Sequence, residues 1–277
     1  MVCVGLFAGS IPLGMTAHVR RVSPRLWFLL KFLRYKYLAG EREIFALRDL
    51  MPQGARMAID VGSSIGLYSR ALAGLVPKVV SFEANPAVAT FARTVAPCNV
   101  EVVNVALSSA AKRATLRIPF NGRGHTIDDL ATVDEKIDFG GGKFIAAEIL
   151  SKPLDAYNYA NCGFIKIDVE GHEEEVLEGA KTLIGRCRPV LMIELEERHN
   201  PGAVDRVTRW LSQLGYGGYF LTDGKWLPIE KFRMQSDQDW QTVLKTAPRF
   251  RRRAHYICNF VFVPLEAPPR AMAQLAA

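Results

Sequence analysis

Met57-Ala58-Ile59-Asp60-Val61-Gly62-Ser63-Ser64-Ile65-Gly66-Leu67-Tyr68-Ser69 is the stretch that decides the fold. Its first five residues form a mainly apolar run of strand length, Gly62 and Gly66 mark a turn, and a helix is predicted over 66–75. Glycine at 62 and 66 lets the backbone bend sharply and approach a ligand closely. The helix start then offers free N–H groups to a carboxylate. In an open parallel sheet, ligands sit beyond the carboxyl ends of the strands, where this loop falls.

The alternation continues outward from that unit. Lys78 to Phe82 reads as a strand, 86–95 as a helix and Val100 to Val105 as a third strand. Phe164 to Ile167, a helix at 173–185, Val190 to Ile193, a helix at 202–214 and strands near 216–221 and 256–263 follow. Short apolar strands separated by helices predict an α/β fold with a mostly parallel, doubly wound sheet. The stretch 107–162 is Gly- and Asp-rich, with Gly122, Gly124 and Gly140-Gly141-Gly142, and reads as an insertion of hairpins and loops suited to shaping a substrate site. Residues 25–55 read as a helical cover, with Leu26, Leu29, Leu30 and Leu33 on one face, Ile44, Phe45, Leu47 and Leu50 on another, and Gly40 as the break. The expected organisation is a poorly ordered tail over 1–24, the helical cover over 25–55, the main domain over 56–265 and a C-terminal tail over 266–277.

Composition narrows the class. With 277 residues, 49% of them hydrophobic, the chain can build a sizeable core. A net charge of +7 suits solubility and a modest preference for anions, but no RNA-binding signature, zinc-finger spacing or basic zipper accompanies it, so nucleic acid is not an expected partner. Cys3, Cys98, Cys162, Cys187 and Cys258 are odd in number and lack CxxC spacing, which fits reduced thiols in a cytoplasmic protein. The first eighteen residues are apolar, yet Arg20-Arg21 follow the apolar run instead of preceding it, unlike a secretory signal. Gly5, Gly9, Pro12 and Gly14 interrupt that run, which is too short to span a bilayer, and Met15 is a candidate start.

Glu83 follows the second strand, 23 positions after Asp60, the spacing at which a carboxylate accepts two ribose hydroxyls. A glycine loop alone also suits nicotinamide and flavin enzymes. Here, however, Ser64 stands where the middle glycine of G-x-G-x-x-G admits a pyrophosphate. Asp60 suits an ammonium group better than a diphosphate. Both details favour S-adenosylmethionine over a dinucleotide and leave a nicotinamide-dependent oxidoreductase as the alternative enzyme.

In order along the chain stand Asp60-Val61-Gly62-x-x-Ile65-Gly66-Leu67-Tyr68-Ser69, Phe82-Glu83-x-Asn85-Pro86, Asn104-Val105-Ala106-Leu107-Ser108, Leu154-Asp155 and Ile165-Lys166-Ile167-Asp168-Val169-Glu170-Gly171-x-Glu173. From about residue 41 to 221 this resembles the FkbM-type methyltransferases, a bacterial S-adenosylmethionine-dependent family. The resemblance implies a class I methyltransferase (Rossmann-like) seven-stranded sheet with its last strand antiparallel, and O-methyl transfer to hydroxyls of sugars, glycolipids, polysaccharides or secondary metabolites. It places Asp60, Gly62 and Gly66 at the methionine end of the cofactor, Glu83 at its ribose, and Asn104 and Ala106 beside its adenine; Ser64, which can still hydrogen-bond, is a further cofactor-binding candidate. The family usually has Ala-Asn where this chain has Ser63-Ser64, and Pro where it has Ala84, which implies altered affinity for the cofactor.

Methyl transfer to a hydroxyl calls for in-line positioning and for a general base or a metal ion. Asp168 ends the fourth strand, Glu170 and His172 follow in its loop, and Glu194 ends the fifth. Asp168 is the first candidate for positioning or deprotonating the acceptor, Glu194 the second, and His172 a third that also reads as a plain helix start. Asp168, Glu170 and Glu194 are candidate oxygen ligands for a divalent metal. The Arg249-Phe250-Arg251-Arg252-Arg253 cluster and the basic helix from Trp27 to Tyr37 leave peripheral contact with an anionic membrane at the inner face as an expectation, with a non-catalytic membrane-docking scaffold as the limiting case.

Overall fold

Met57–Val61 (β1) lies inside the main sheet, and all five of its residues are buried. A strand covered on both faces is expected to be apolar nearly throughout, so Asp60 stands out within it. The computed structural model describes residues 22–39, 43–119, 131–133, 143–239, 241 and 256–272. Further strands are Lys78–Phe82 (β2), Val100–Val103 (β3), Ala106–Leu107 (β4), Lys112–Pro119 (β5), Phe144–Lys152 (β6), Cys162–Ile167 (β7), Val190–Glu194 (β8), Tyr216–Thr222 (β9), Lys225–Pro228 (β10) and Asn259–Pro264 (β11). Among the described residues the main sheet has eight strands in the order β10-β9-β11-β8-β7-β1-β2-β3.

β1 pairs in parallel with β2 and β7, and β7 with β8, while β11 runs antiparallel to both β8 and β9. The expected antiparallel final strand is therefore present, and it begins at Asn259 instead of 256. The count differs by one because β9 and β10 form a hairpin. Asp223 and Gly224 between them both have positive φ, +47° and +75°, the backbone of a tight two-residue hairpin turn. Strand order reverses between β1 and β7, so the loops after these two strands flank the crevice where such sheets bind ligands.

The helices are Pro24–Arg34 (α1), Glu43–Leu50 (α2), Leu67–Leu72 (α3), Pro86–Val95 (α4), Glu173–Glu178 (α5), Lys181–Cys187 (α6), Ala203–Gln213 (α7) and Met234–Asp237 (α8). Residues along β1 alternate between the two faces of the sheet. Ile59 and Val61 pack with Ile165, Ile167, Val176 and Leu177 on one side. Ala58 packs with Phe164, Met192, Leu47, Leu50 and Leu72 on the other. The single helix predicted at 173–185 is two, broken at Gly179, where an added Cβ would lie 2.1 Å from the Ser108 carbonyl oxygen.

The leucine stripe of α1 is not its packing face: Phe28 and Phe32 are buried, whereas Leu26, Leu29, Leu30 and Leu33 are exposed. Phe32 joins the core cluster that holds Leu47, Tyr68 and Leu72, with the Arg70 guanidinium 6.0 Å from its ring, and on the same helix Trp27 stands edge-on to Phe91 at 5.6 Å. A five-residue π-helical turn, Tyr35–Ala39, follows α1, and the Gly40 break lies outside the described residues. In α2, Ile44, Leu47 and Leu50 are buried as read, but Phe45 faces outward.

Among the described residues the insertion pairs β5 antiparallel to β6, with β4 parallel to β6 on its other side. Its glycine-rich parts, including Gly122, Gly124 and 140–142, lie outside the described residues, as do Cys3 and the Arg249–Arg253 cluster. Cys98, Cys162, Cys187 and Cys258 are free thiols.

Candidate functional site

The loop after β1 is tied to the end of β2. Gly62 and Ser63 both donate their backbone N–H to the Phe82 carbonyl, at 2.9 and 3.0 Å. Ser64 adopts φ +49°, and its N–H donates to Glu83 Oε2 at 2.8 Å, while Asn85 N–H donates to Glu83 Oε1 at 2.7 Å. Asn85 also caps α4 by accepting from Ala87 N–H at 3.0 Å, as Asn-Pro at a helix start should. Asn104 Nδ2 donates to the carbonyls of Glu83 and Ala84, at 2.8 and 3.0 Å, and Ala106 lies just beyond in β4. Ser64, Glu83 and Asn104 are thus joined in one network at the carboxyl edge of the sheet.

Gly62 has a stricter reason to be glycine than close approach to a ligand. It sits at φ +73°, and an added Cβ would fall 1.7 Å from the Asp168 carbonyl oxygen. Gly66, at φ +90°, needs glycine for its backbone conformation alone, since its nearest neighbour to an added Cβ is 3.8 Å away. Ser63 is buried, and its Oγ has no hydrogen-bond partner among the described residues.

Asp60 points into the protein. It is 1% exposed and accepts a hydrogen bond from Ser69 Oγ at 2.5 Å; that hydroxyl also lies 2.9 Å from Ser81 Oγ. Burial raises the Asp60 carboxyl above the usual range, opposed by the Lys166 ammonium and the Ser69 bond. Lys166 is itself almost wholly buried, with Nζ 2.7 Å from Asp168 Oδ2 and 4.6 Å from the Tyr68 ring centroid. Asp60, Lys166 and Asp168 therefore form one charged group at the ends of β1 and β7. Lys166 had been legible only as part of a strand, although a lone cation in an apolar run signals a buried partner.

The loop after β7 carries the other candidates. Glu170 has φ +50°, its Oε2 lies 2.9 Å from His199 Nδ1, and its carbonyl accepts from Thr132 Oγ1 at 2.9 Å. Burial raises the Glu170 carboxyl, against the pull of His199. Thr132 belongs to the insertion and pairs with Arg117, so that segment does return to the crevice loop. His172 stands at the N-cap of α5 without capping it; Nε2 meets Ser108 Oγ at 3.0 Å and Nδ1 lies 3.6 Å from Glu175 Oε2. His199 and Thr132 had no signal in the sequence, because each meets Glu170 across a long separation in chain.

The expected metal triad is not assembled. Asp168 turns to Lys166 and Glu170 to His199, so two of the three carboxylates each face a nitrogen group instead of one another. Among the described residues, the ligand atoms that do fall together, within 4.8 Å, are those of Glu194, Glu196 and Cys258. Glu194 is buried at the end of β8, and Glu196 is held by Arg198 and by Tyr256 Oη at 3.2 Å.

Glu173 begins α5 and is buried, with Oε1 accepting from Gly171 N–H at 2.9 Å, and burial pushes its carboxyl up to about 8. The folded state therefore holds this proton at pH values where the unfolded chain has released it. The folded chain should lose stability as pH rises from about 4.5 to about 8. Glu173→Gln is expected to flatten that decline, by about 1.4 kcal/mol per pH unit across the window. Urea denaturation at pH 5.5 and 8.5 checks it, and an unchanged slope would refute the assignment.

A family model described as Methyltransferase FkbM domain matches residues 60–217. The chain is also similar to the crystal structure of methyltransferase FkbM from Methylobacillus flagellatus KT, at 15% identity and TM-score 0.47, covering 90% of this chain and 60% of that one. A SAM-dependent methyltransferase from Aquifex aeolicus is 15% identical, at TM-score 0.41, over 90% of this chain and 97% of that one. SMU.1697c, a putative methyltransferase from Streptococcus mutans in complex with SAH, is 10% identical, at TM-score 0.42, over 80% of this chain and 98% of that one. No curated protein matches the sequence. The family match spans more than half of the chain, from the end of β1 into β9, and takes in both loops at the reversal of strand order. This protein belongs to the FkbM methyltransferase family.

Proposed function

We propose that the protein transfers a methyl group from S-adenosylmethionine to a hydroxyl of a sugar, glycolipid, polysaccharide or secondary metabolite. The observation that carries this reading is the Glu83 carboxylate, held by the N–H groups of Ser64 and Asn85 beside the glycine loop, with Asp168 at the end of the adjoining strand. Each Glu83 oxygen accepts a backbone bond, and because a carboxylate oxygen can accept more than one hydrogen bond, this side chain suits a pair of ribose hydroxyls. The unpartnered Ser63 Oγ is a polar group that a ligand in the crevice would satisfy. Gly62, Ser64 and Gly66 shape the turn around the methionine end, Asp60 steadies it from beneath through Ser69, and Asn104 and Ala106 flank the adenine.

When bound, S-adenosylmethionine supplies a methyl group on a sulfonium that leaves as a neutral thioether. The chain's own part is to align the hydroxyl and take its proton. We assign both to Asp168; the Lys166 bond to one of its carboxylate oxygens, which fixes the side chain's direction, supports that reading. Glu194 is the second candidate. His172 is third, because Ser108 and Glu175 hold its ring. Glu170, braced by His199 and Thr132, fixes the loop that carries Asp168.

Titration with S-adenosylhomocysteine and with NADH tests the cofactor: the former should bind and the latter should not. Failure to bind S-adenosylhomocysteine at millimolar concentration would sink the proposal. Glu83→Ala should weaken that binding about tenfold or more, since bonds to a charged acceptor contribute roughly 1.5–3 kcal/mol each. Unchanged affinity would remove Glu83 from the ribose site.

A further inference from the structure

Helix α1 faces outward with its leucines. Leu26, Leu29, Leu30 and Leu33 are between 41 and 52% exposed, while Phe28 and Phe32 anchor the opposite side. Among the described residues, seven of the twelve exposed large apolar side chains fall between Val22 and Phe45. Apolar residues exposed singly are ordinary, but a contiguous stripe marks a docking surface. At about 100° per residue, the four leucines share one arc, with Arg25 on one border, Arg34 on the other, and Lys31 further round beyond Arg34.

Charge selects the occupant. Residues 1–40 contain Arg20, Arg21, Arg25, Lys31, Arg34 and Lys36 and neither Asp nor Glu. A second copy docked through this face would set like charges together, and an acidic protein surface would leave the leucine arc unmatched. A bilayer with anionic headgroups offers negative charge and an apolar layer a few ångströms beneath it, the order in which this helix presents its groups. We propose that α1 docks in plane on an anionic bilayer surface, its leucines at the acyl boundary and its basic side chains among the phosphates. Docking is peripheral: among the described residues no helix is long and apolar enough to cross a membrane.

The test is co-sedimentation of the full chain with phosphatidylcholine vesicles containing either no anionic lipid or about 30 mol % phosphatidylglycerol. Binding to the anionic vesicles should be at least about tenfold tighter and should be lost in about 0.5 M salt. Leu29→Ser with Leu30→Ser should reduce it about tenfold or more, and Lys31→Gln with Arg34→Gln by a similar factor. Circular dichroism and the melting temperature, both expected to be unchanged, show that these surface variants still fold. Equal binding to both vesicle types, full retention by the leucine variant, or no binding at all would overturn the proposal. So would a concentration-dependent dimer in sedimentation that the leucine variant abolishes, since the face would then meet a second copy.

Discussion

Gly62→Ala is expected to lower stability by about 3–5 kcal/mol, enough to leave little folded protein at 37 °C. Two costs add. The position lies at φ +73°, where a side chain is strained, and the new Cβ would fall 1.7 Å from the Asp168 carbonyl oxygen. That carbonyl is poorly placed to retreat, because the Asp168 N–H donates to Val61 O at 3.0 Å and Val61 is in register with Ile167. Moving it would part the central parallel pair. Gly66→Ala is the internal control, since it shares the positive φ but opens onto space, so only the backbone cost applies, about 1 kcal/mol. Urea denaturation of both variants separates the two effects. Equal losses would show that the collision is relieved cheaply and that Gly62 is needed for its turn alone.

That contrast marks where the sequence was legible. The order of the elements around β1, β2, β7 and β8 could be read because each of these strands is a short, mainly apolar run and the breaks carry Gly, Asn or Pro. The antiparallel β11 came only with the family resemblance. The extra strand β10 had a local sign, Asp223-Gly224, which reads as a hairpin once the positive φ values are known. Helical periodicity grouped the α1 leucines on one face without identifying what covers it. Phe91, edge-on to Trp27, and the core cluster around Tyr68 that takes in Phe32 come from distant segments and favour the aromatic side instead.

The site follows the same division. Glu83 was legible because it directly follows a strand and precedes Asn85-Pro86, so its place on the sheet edge was implied by its neighbours in sequence. Asp60 was legible as unusual, though its partners were not. Ser69 lies one turn into α3, Lys166 on a strand more than a hundred residues away, and only the β1–β7 pairing brings them together. The contacts of the three candidate metal ligands were hidden for a related reason: spacing placed the carboxylates near one edge, while the cation and the imidazole that engage two of them come from Lys166 and His199.

Asp168→Asn is expected to reduce methyl transfer by about 10²–10⁴-fold while leaving S-adenosylhomocysteine affinity within about threefold. Asparagine keeps the shape of the side chain but cannot take a hydroxyl proton. The complication is Lys166, which is almost wholly buried and would lose one of its two carboxylate neighbours. A stranded cation alone can cost about 3–5 kcal/mol of stability, and misfolding would then imitate lost chemistry. Lys166→Met separates the two. If Asp168 serves only as the counterion of Lys166, removing both charges together should restore turnover towards that of the unaltered chain. If Asp168 takes the proton, the double variant should regain stability in urea yet stay as slow as Asp168→Asn, measured with any hydroxyl acceptor that the unaltered chain methylates. Full turnover in Asp168→Asn would transfer the role of base to Glu194, the carboxylate at the end of the neighbouring strand.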